Sequence, residues 1–479
     1  MLIHIIKNEW RNLRADKTLW LVAALFAVSA IYATVNGFAW TNFQRQTLAE
    51  AVAEESGRYD ALKKQIADYD QNAPEQLSRF SDPRDPAAAG RNVGQRYAAM
   101  PPAPLAASSI GQSDLLPYYF KINTRSQQTF TSNDEIENPT NLLAGRFDLA
   151  FVIIYLLPLL ILALGYNFLS GEREAGTLQM LLSQPINLRS VVLGKIALRF
   201  AVITVLVLGF SLAAFLLGGG NLFAEGVLIR ILLWTLAVVV YISFWFALSV
   251  AVNAFNWKSA TNAVALAALW LLFVIIIPSL TGVLVTTVYP VPSRVEMINR
   301  MRDASSEAST QGSQILAKFT EDHPELMQGE YDPDDAAART YAVQESVDRQ
   351  AQPVLAAYDE QLRKQQNLVK TLQFLSPAIV MQEALNDISG TGNARYQHFL
   401  AQVKGYHADW QNYFIPRVFQ KMKITASTYD AAPRFAWREE NSGAFARRVL
   451  FGLLGIVAVT LAVFTFGLSA IRRYSAIGG

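Results

Sequence analysis

The chain has 479 residues, of which 52% are hydrophobic and 17% are charged, with a net charge of +2 and no cysteine. Segments 41–146 and 289–446 hold 27 of the 41 basic and 33 of the 39 acidic residues, so the rest of the chain is a charge-poor apolar frame. This distribution excludes a single soluble globule. The distribution also argues against a nucleic-acid-binding protein, because there is no strong basic patch outside the flanks of the apolar runs. The lack of cysteine excludes disulfide frameworks, thiol catalysis and cysteine-ligated metal sites.

The N-terminal segment, residues 1–17, has the pattern of an amphipathic helix. Its apolar residues recur at helical spacing on one face: Ile3, Ile6, Trp10 and Leu13. Lysine and arginine occupy another face. Such a basic amphipathic helix lies in the plane of a membrane interface, on the cytoplasmic side if the N-terminus is inside. A simple lipid anchor with orienting charges would show the same pattern.

Six segments are long and apolar enough to cross a bilayer, since a helical span needs roughly 20 residues. They are residues 18–40, 147–169, 190–217, 227–252, 262–287 and 447–471. The first run is too long for a signal peptide and no cleavage site follows it, so we interpret it as an uncleaved anchor. Basic residues flank alternate ends of the runs, which predicts that both termini, including the tail 472–479, are cytoplasmic. Arg447 and Arg448 are exceptions to this charge pattern, because the predicted topology places them outside the membrane.

This topology places the two polar segments, 41–146 and 288–446, outside the membrane. The first begins with a helical stripe from Leu48 to Tyr69 and continues as a proline-rich stretch, 71–117, that is typical of loop. The second carries a similar stripe from Leu355 to Leu372. Because neither segment has a complete core pattern, we predict that they pack on each other as one mostly helical domain. A coiled coil that docks a partner is the alternative interpretation of these stripes.

A short amphipathic helix is predicted on the cytoplasmic side, in segment 170–189. Its apolar face is formed by Leu178, Leu181 and Leu182. Glu172 and Glu174 precede it, where carboxylates suit the positive end of a helix, and Pro185 marks its end. The two glutamates taken alone are equally consistent with a solvated turn beside the membrane.

This segment resembles the coupling helix of the permease subunits of type-2 ABC transporters. The resemblance is carried by residues 172–178, 181–185 and 194–195, and it extends to the six-span order and the N-terminal helix. In that family the coupling helix sits in a groove of the ATP-binding subunit and transmits motion driven by the nucleotide. The resemblance therefore assigns the coupling role to Glu172, Arg173, Glu174, Gly176, Thr177, Leu178, Leu181, Leu182 and Pro185.

The resemblance implies an all-α membrane protein in the type-2 ABC exporter arrangement, with a helical extracytoplasmic domain built from two insertions. It implies the permease subunit of an exporter in a bacterial inner membrane. The expected partners are two copies of an ATP-binding subunit, which hold ATP and magnesium, and a second permease that is identical or paralogous. Large insertions are typical of a subgroup of these permeases, and they leave the substrate open.

The chain lacks the glycine-rich phosphate-binding loop and every common catalytic motif, and its four histidines are scattered. We therefore expect no catalytic residues, cofactor or metal in this chain. Tyr155, Pro158 and Pro278 lie within the spans and are candidates for kinks or for lining a pathway. One alternative function is a non-transporting scaffold or mechanotransmitter whose outer domain engages an extracytoplasmic protein. An ion-coupled transporter is disfavoured because no carboxylate lies deep in a span.

Overall fold

The computed structural model of the chain is almost entirely helical. Among the residues that the structure describes, six segments are long and apolar enough to cross a membrane, which confirms the prediction of an all-α membrane protein with six spans. In chain order the helical segments that contain these spans are Lys17–Gln71, Leu149–Glu174, Leu188–Leu217, Val227–Asn253, Ser259–Val288 and Ser442–Ala470. The structure describes residues 2–15, 17–71, 77–126, 147–183, 187–217, 222–223, 226–291, 294–326 and 332–473.

A separate N-terminal helix, Leu2–Ala15, precedes the first span and packs against the third. The first span belongs to a single helix of 55 residues. At 1.5 Å per residue such a helix is about 80 Å long, whereas the hydrocarbon core of a bilayer is about 30 Å thick. The helix therefore extends far beyond the spans.

The second and fifth spans are each interrupted by a π-helical turn. The second consists of Leu149–Phe151, the π turn Val152–Leu156 and Leu157–Gly165. The fifth consists of Ser259–Trp270, the π turn Leu271–Ile276 and Ile277–Val288. Pro158 and Pro278 each lie two residues after a π turn, in the first turn of the α-helix that follows.

The remaining structure forms a region that we call the distal unit, residues 41–126 and 294–441. Its longer helices are Arg294–Thr310, Gly312–Asp322, Ala336–Leu372, Pro377–Ser389 and Asn393–Phe419. Its short elements are the helices Pro86–Ala88 and Ala426–Asp430, the π turn Ala89–Val93 and the 3₁₀ turns Pro324–Leu326 and Gln373–Leu375.

Two antiparallel strands, Arg96–Ala99 and Tyr119–Ile122, also belong to the distal unit, with Arg96 opposite Ile122. The first strand corrects the prediction that residues 71–117 are only loop. Each strand has four residues, which is too short for alternation of apolar and polar residues to reveal it in the sequence. The ladder is stabilised by packing, because Phe120 and Ile122 are buried against Phe399 of the second polar segment.

Both polar segments contribute to the core of the distal unit. Tyr59 and Ile66 from the first segment share one cluster with Phe399 and Trp410 from the second. Trp410 is fully buried, and its indole N–H donates to the carbonyl oxygen of Gly90 at 3.0 Å. The two segments therefore form one packed unit.

The helix Pro377–Ser389 joins the distal unit to the spans. Its Met381 and Leu385 are fully buried in the same cluster as residues of the fourth and sixth spans. Arg230, near the start of the fourth span, donates to the carbonyl oxygen of Ile388 at 2.5 Å. These contacts seat the distal unit directly on one end of the span bundle.

Candidate functional site at the end of the second span

The segment that resembles a coupling helix folds as two short helices, Ser170–Glu174 and Thr177–Leu182. Gly176 separates them with a φ of +73°, a conformation that glycine adopts without steric cost. The sequence predicted one helix preceded by the glutamates. In the structure Glu172 and Glu174 belong to the first short helix instead, which continues the end of the second span.

Glu172 holds this segment against the third span. Its carboxylate accepts a hydrogen bond from Lys195 Nζ at 2.6 Å and another from the Thr177 hydroxyl. Lys195 is buried and also donates to the carbonyl oxygen of Phe168 at 3.3 Å. The lysine therefore contacts both the end of the second span and the segment that follows it.

Glu9 extends this cluster of charges to the N-terminal helix. Its carboxylate accepts from Arg199 Nε at 2.8 Å and from Arg199 Nη2 at 2.5 Å, and it lies 3.8 Å from Lys195 Nζ. The Glu9 residue is only 3% exposed. We call Glu9, Glu172, Lys195 and Arg199 the charge cluster. It links the N-terminal helix, the third span and the segment after the second span.

Glu9 is not among the site residues predicted from the sequence, although the sequence contains a signal for it. Glu9 is three residues after Ile6 and four before Leu13, so a carboxylate interrupts the apolar face of an amphipathic helix. Arg199 is likewise a charge inside an apolar run. Such residues seek a partner of opposite charge, because an isolated buried charge is costly.

Glu174 and Arg173 bind the connection between the fourth and fifth spans. The Glu174 carboxylate accepts from the Ser259 backbone N–H at 2.7 Å and from its hydroxyl at 2.8 Å, at the first turn of the fifth span. A carboxylate there satisfies an N–H that the helix leaves free and suits the helix dipole. Arg173 donates to the carbonyl oxygens of Asn256 at 2.7 Å and Trp257 at 2.9 Å.

The second short helix has one buried and one exposed side. Leu178 is 1% exposed and belongs to the hydrophobic cluster of the spans, whereas Met180 is 72% exposed. Gly176, Thr177 and Gln179 are exposed as well. Leu178 therefore anchors the segment to its own spans, and Thr177, Gln179 and Met180 contribute exposed surface.

Some of the sequence-predicted residues cannot be placed. Pro185 and the side chains of Ile3, Leu181 and Leu182 lie outside the described part of the chain. In the N-terminal helix Leu13 is buried, Ile6 is half-buried and Trp10 is 43% exposed.

The residues predicted as kinks or pathway residues lie along the second and fifth spans, away from the charge cluster. The carbonyl oxygen of Tyr155 accepts from the indole N–H of Trp270 at 3.2 Å, which connects the π turn of the second span to the fifth span. Pro158 is buried. Tyr155, Pro158 and Pro278 thus belong to the interrupted parts of the two spans.

Comparison with known proteins shows similarity to membrane transporters over part of the chain. Residues 126–279 match a family model described as an ABC-2 family transporter protein, and residues 294–438 match a model described as a domain of unknown function, DUF3526. The probable ABC transporter permease protein NosY of Stutzerimonas stutzeri is 34% identical over 147 residues, which cover 29% of this chain. The matched region spans about half, 51%, of that relative. Residues 126–279, which contain the second to fourth spans and most of the fifth, are therefore similar to type-2 ABC transporter permeases.

Proposed function

We propose that this chain is the permease subunit of an ATP-driven exporter in a bacterial inner membrane, with both termini in the cytoplasm. A separate ATP-binding subunit, in two copies, holds ATP and magnesium, and a second permease completes the membrane unit. The six spans and the family match support the permease role. The match to a transporter family does not favour the alternative function, a non-transporting scaffold.

The observation that carries this proposal is an exposed turn, residues 175–183, which we call the coupling turn. Its buried Leu178 fixes it to the spans, and its Met180 projects with 72% of its surface exposed. Methionine is enriched at the cores of protein interfaces. Such an anchored, protruding apolar side chain suits insertion into a groove of an ATP-binding subunit.

Motion of the coupling turn would reach several spans at once. Glu172 links it to the third span through Lys195, and Glu174 links it to the fifth through Ser259. Arg199 and Glu9 extend the contact to the N-terminal helix. A contiguous network of this kind is a physical route for force between sites. Closure of the ATP-binding subunits would therefore reorient the spans as a group.

The test uses two exposed methionines at opposite ends of the molecule. The Met180→Asp variant places a carboxylate in the proposed apolar contact, whereas Met422→Asp makes the same change in the distal unit, where Met422 is 48% exposed. The tagged full chain is co-expressed with the ATP-binding subunit of its own gene neighbourhood and purified in detergent. The amount of that subunit retained and its rate of ATP hydrolysis are measured.

We expect Met180→Asp to reduce retention by about tenfold or more, because losing an interface anchor costs roughly 2 kcal/mol or more. Met422→Asp should behave as wild type. Membrane insertion should be equal in both variants, since both positions are exposed. If Met180→Asp retains the subunit and its ATP hydrolysis at wild-type levels, the coupling turn is not the docking site.

A further inference from the structure

A cleft of 560 Å³ lies in the distal unit, between the helices Arg294–Thr310 and Ala336–Leu372 and the chain next to Arg125. Its volume falls in the range of sites for small molecules, roughly 300–1,000 Å³. The described residues of its wall include four arginines but one carboxylate: Arg91, Arg125, Arg302, Arg339 and Asp348. The cleft is thus strongly cationic within a chain of nearly balanced charge.

The one carboxylate does not neutralise these arginines. Asp348 accepts a hydrogen bond from the Ser126 hydroxyl at 2.5 Å. Among the described residues, none of the four arginines lies within 4.0 Å of a carboxylate oxygen, unlike Arg79 and Arg395 elsewhere in the distal unit. The cleft therefore keeps an excess of positive charge.

Two of the arginines are held in unfavourable surroundings. Burial lowers the pKa of the Arg91 guanidinium; the Tyr341 hydroxyl opposes this shift, and the neighbouring Arg125 adds to it by charge repulsion. The Nε of Arg125 is buried and has no acceptor among the described residues. A bound anion would remove both penalties, because it supplies negative charge and hydrogen-bond acceptors at once.

We propose that this cleft binds a small soluble anion that carries phosphate or carboxylate groups. A guanidinium group forms paired hydrogen bonds with a phosphate or with a carboxylate. Hydroxyl groups of Ser305, Ser309 and Thr340 line the same wall, and Met301, Val343 and Val347 provide apolar surface. An organic anion contacts both the polar groups and the apolar side chains of the wall, whereas an inorganic ion contacts only the polar groups.

The cleft is held open by contacts between the two polar segments. Gln344 donates to the carbonyl oxygen of Thr124 at 2.8 Å, and the hydroxyls of Thr124 and Tyr341 lie 2.6 Å apart. Gly312 leaves space for the Arg339 side chain, since a β-carbon there would lie 3.1 Å from Arg339 Cδ. The walls are therefore positioned before a ligand arrives, which reduces the entropic cost of binding.

The test measures binding of pyrophosphate and of citrate to the purified full chain in nanodiscs of zwitterionic lipid. Isothermal titration calorimetry is run against sodium chloride of matched ionic strength. The Arg125→Gln/Arg339→Gln variant should lower the affinity by about tenfold or more, because two charge-assisted contacts are lost. Ser309→Trp should have a similar effect by filling the cleft without removing a charge.

The matched control is Arg363→Gln, which removes an exposed arginine from the same helix, Ala336–Leu372, outside the cleft. It should bind as wild type. If the double variant is destabilised, Ser309→Trp decides, since residue 309 is exposed. The proposal is overturned if neither anion binds to the wild type. It is also overturned if the Ser309→Trp variant binds with wild-type affinity.

Discussion

At the scale of single residues, Glu9 is the group on which the charge cluster depends. It is the carboxylate that contacts Arg199, at 2.5 Å, and it also lies within 4 Å of Lys195. Without Glu9 the Arg199 guanidinium, which is 13% exposed, would keep only the carbonyl oxygen of Leu164 among the partners that the structure describes. Breaking one side of a buried ion pair costs more than the pair contributes, since a charge is left uncompensated.

We therefore predict that Glu9→Ala lowers the free energy of unfolding by about 3–5 kcal/mol. It should also release the N-terminal helix from the third span, so that trypsin cleaves at Lys7 and Arg11 faster than in wild type. Thermal unfolding and timed proteolysis in detergent measure the two effects. Asn8→Ala, at the exposed neighbouring position, is the control and should change neither. Equal proteolysis of both variants would show that Glu9 does not hold the helix.

At the scale of elements, the π-helical interruption of the second span is stabilised by a residue of another span. Pro158 has no N–H, so the carbonyl oxygen four residues earlier, that of Ile154, loses its usual helical donor. The hydroxyl of Tyr241, fully buried in the fourth span, donates to that oxygen at 2.9 Å. The fifth span has a related contact, because the carbonyl oxygen of Phe273, five residues before Pro278, accepts from the Ser376 hydroxyl.

Removing this donor should destabilise the protein only while the proline is present. Tyr241→Phe leaves the Ile154 carbonyl oxygen without its donor, and we expect a loss of about 1–3 kcal/mol in unfolding free energy. Pro158→Ala restores an N–H within reach of that oxygen, so Tyr241→Phe should cost clearly less in the Pro158→Ala background. Thermal unfolding of the four proteins measures the coupling.

The control for this cycle is Tyr32→Phe, a tyrosine in the first span whose side chain is 62% exposed. It should be neutral in both backgrounds. Additive effects of Pro158→Ala and Tyr241→Phe would mean that the tyrosine does not compensate for the proline.

Much of the element structure follows from local sequence. The six spans are predictable because each is a long apolar run. Pro158 and Pro278 indicate the two interrupted spans, because proline lacks the backbone N–H that a regular helix needs. The compensating donors are not predictable in this way. Tyr241 is 87 residues away from Ile154, and Ser376 is 103 residues away from Phe273, so nothing near either proline indicates them.

At the scale of the whole molecule, long-range pairing also limits what the sequence indicates about the candidate site. The segment that resembles a coupling helix is recognisable from residues 172–178, but its leucine pattern does not indicate which surface the apolar face contacts, and Leu178 is buried against the protein's own spans. Whether an apolar side chain faces its own spans or a partner depends on tertiary structure, which the local sequence does not indicate. Glu9 and Glu172 meet the same lysine although 162 residues separate them.

The distal unit gives the last prediction, because its core joins segments more than 300 residues apart. Trp410 packs with Tyr59 and Ile66, and its indole binds the Gly90 carbonyl. Trp410→Ala should cost about 3–5 kcal/mol and leave a cavity between the segments. Amide hydrogen exchange should then speed up in the first segment around Ile66 as well as in Asn393–Phe419. Lys404→Ala, exposed on the same helix, should leave exchange unchanged. If exchange rises only near residue 410, the two segments are stable independently, and the distal unit is not one cooperative domain.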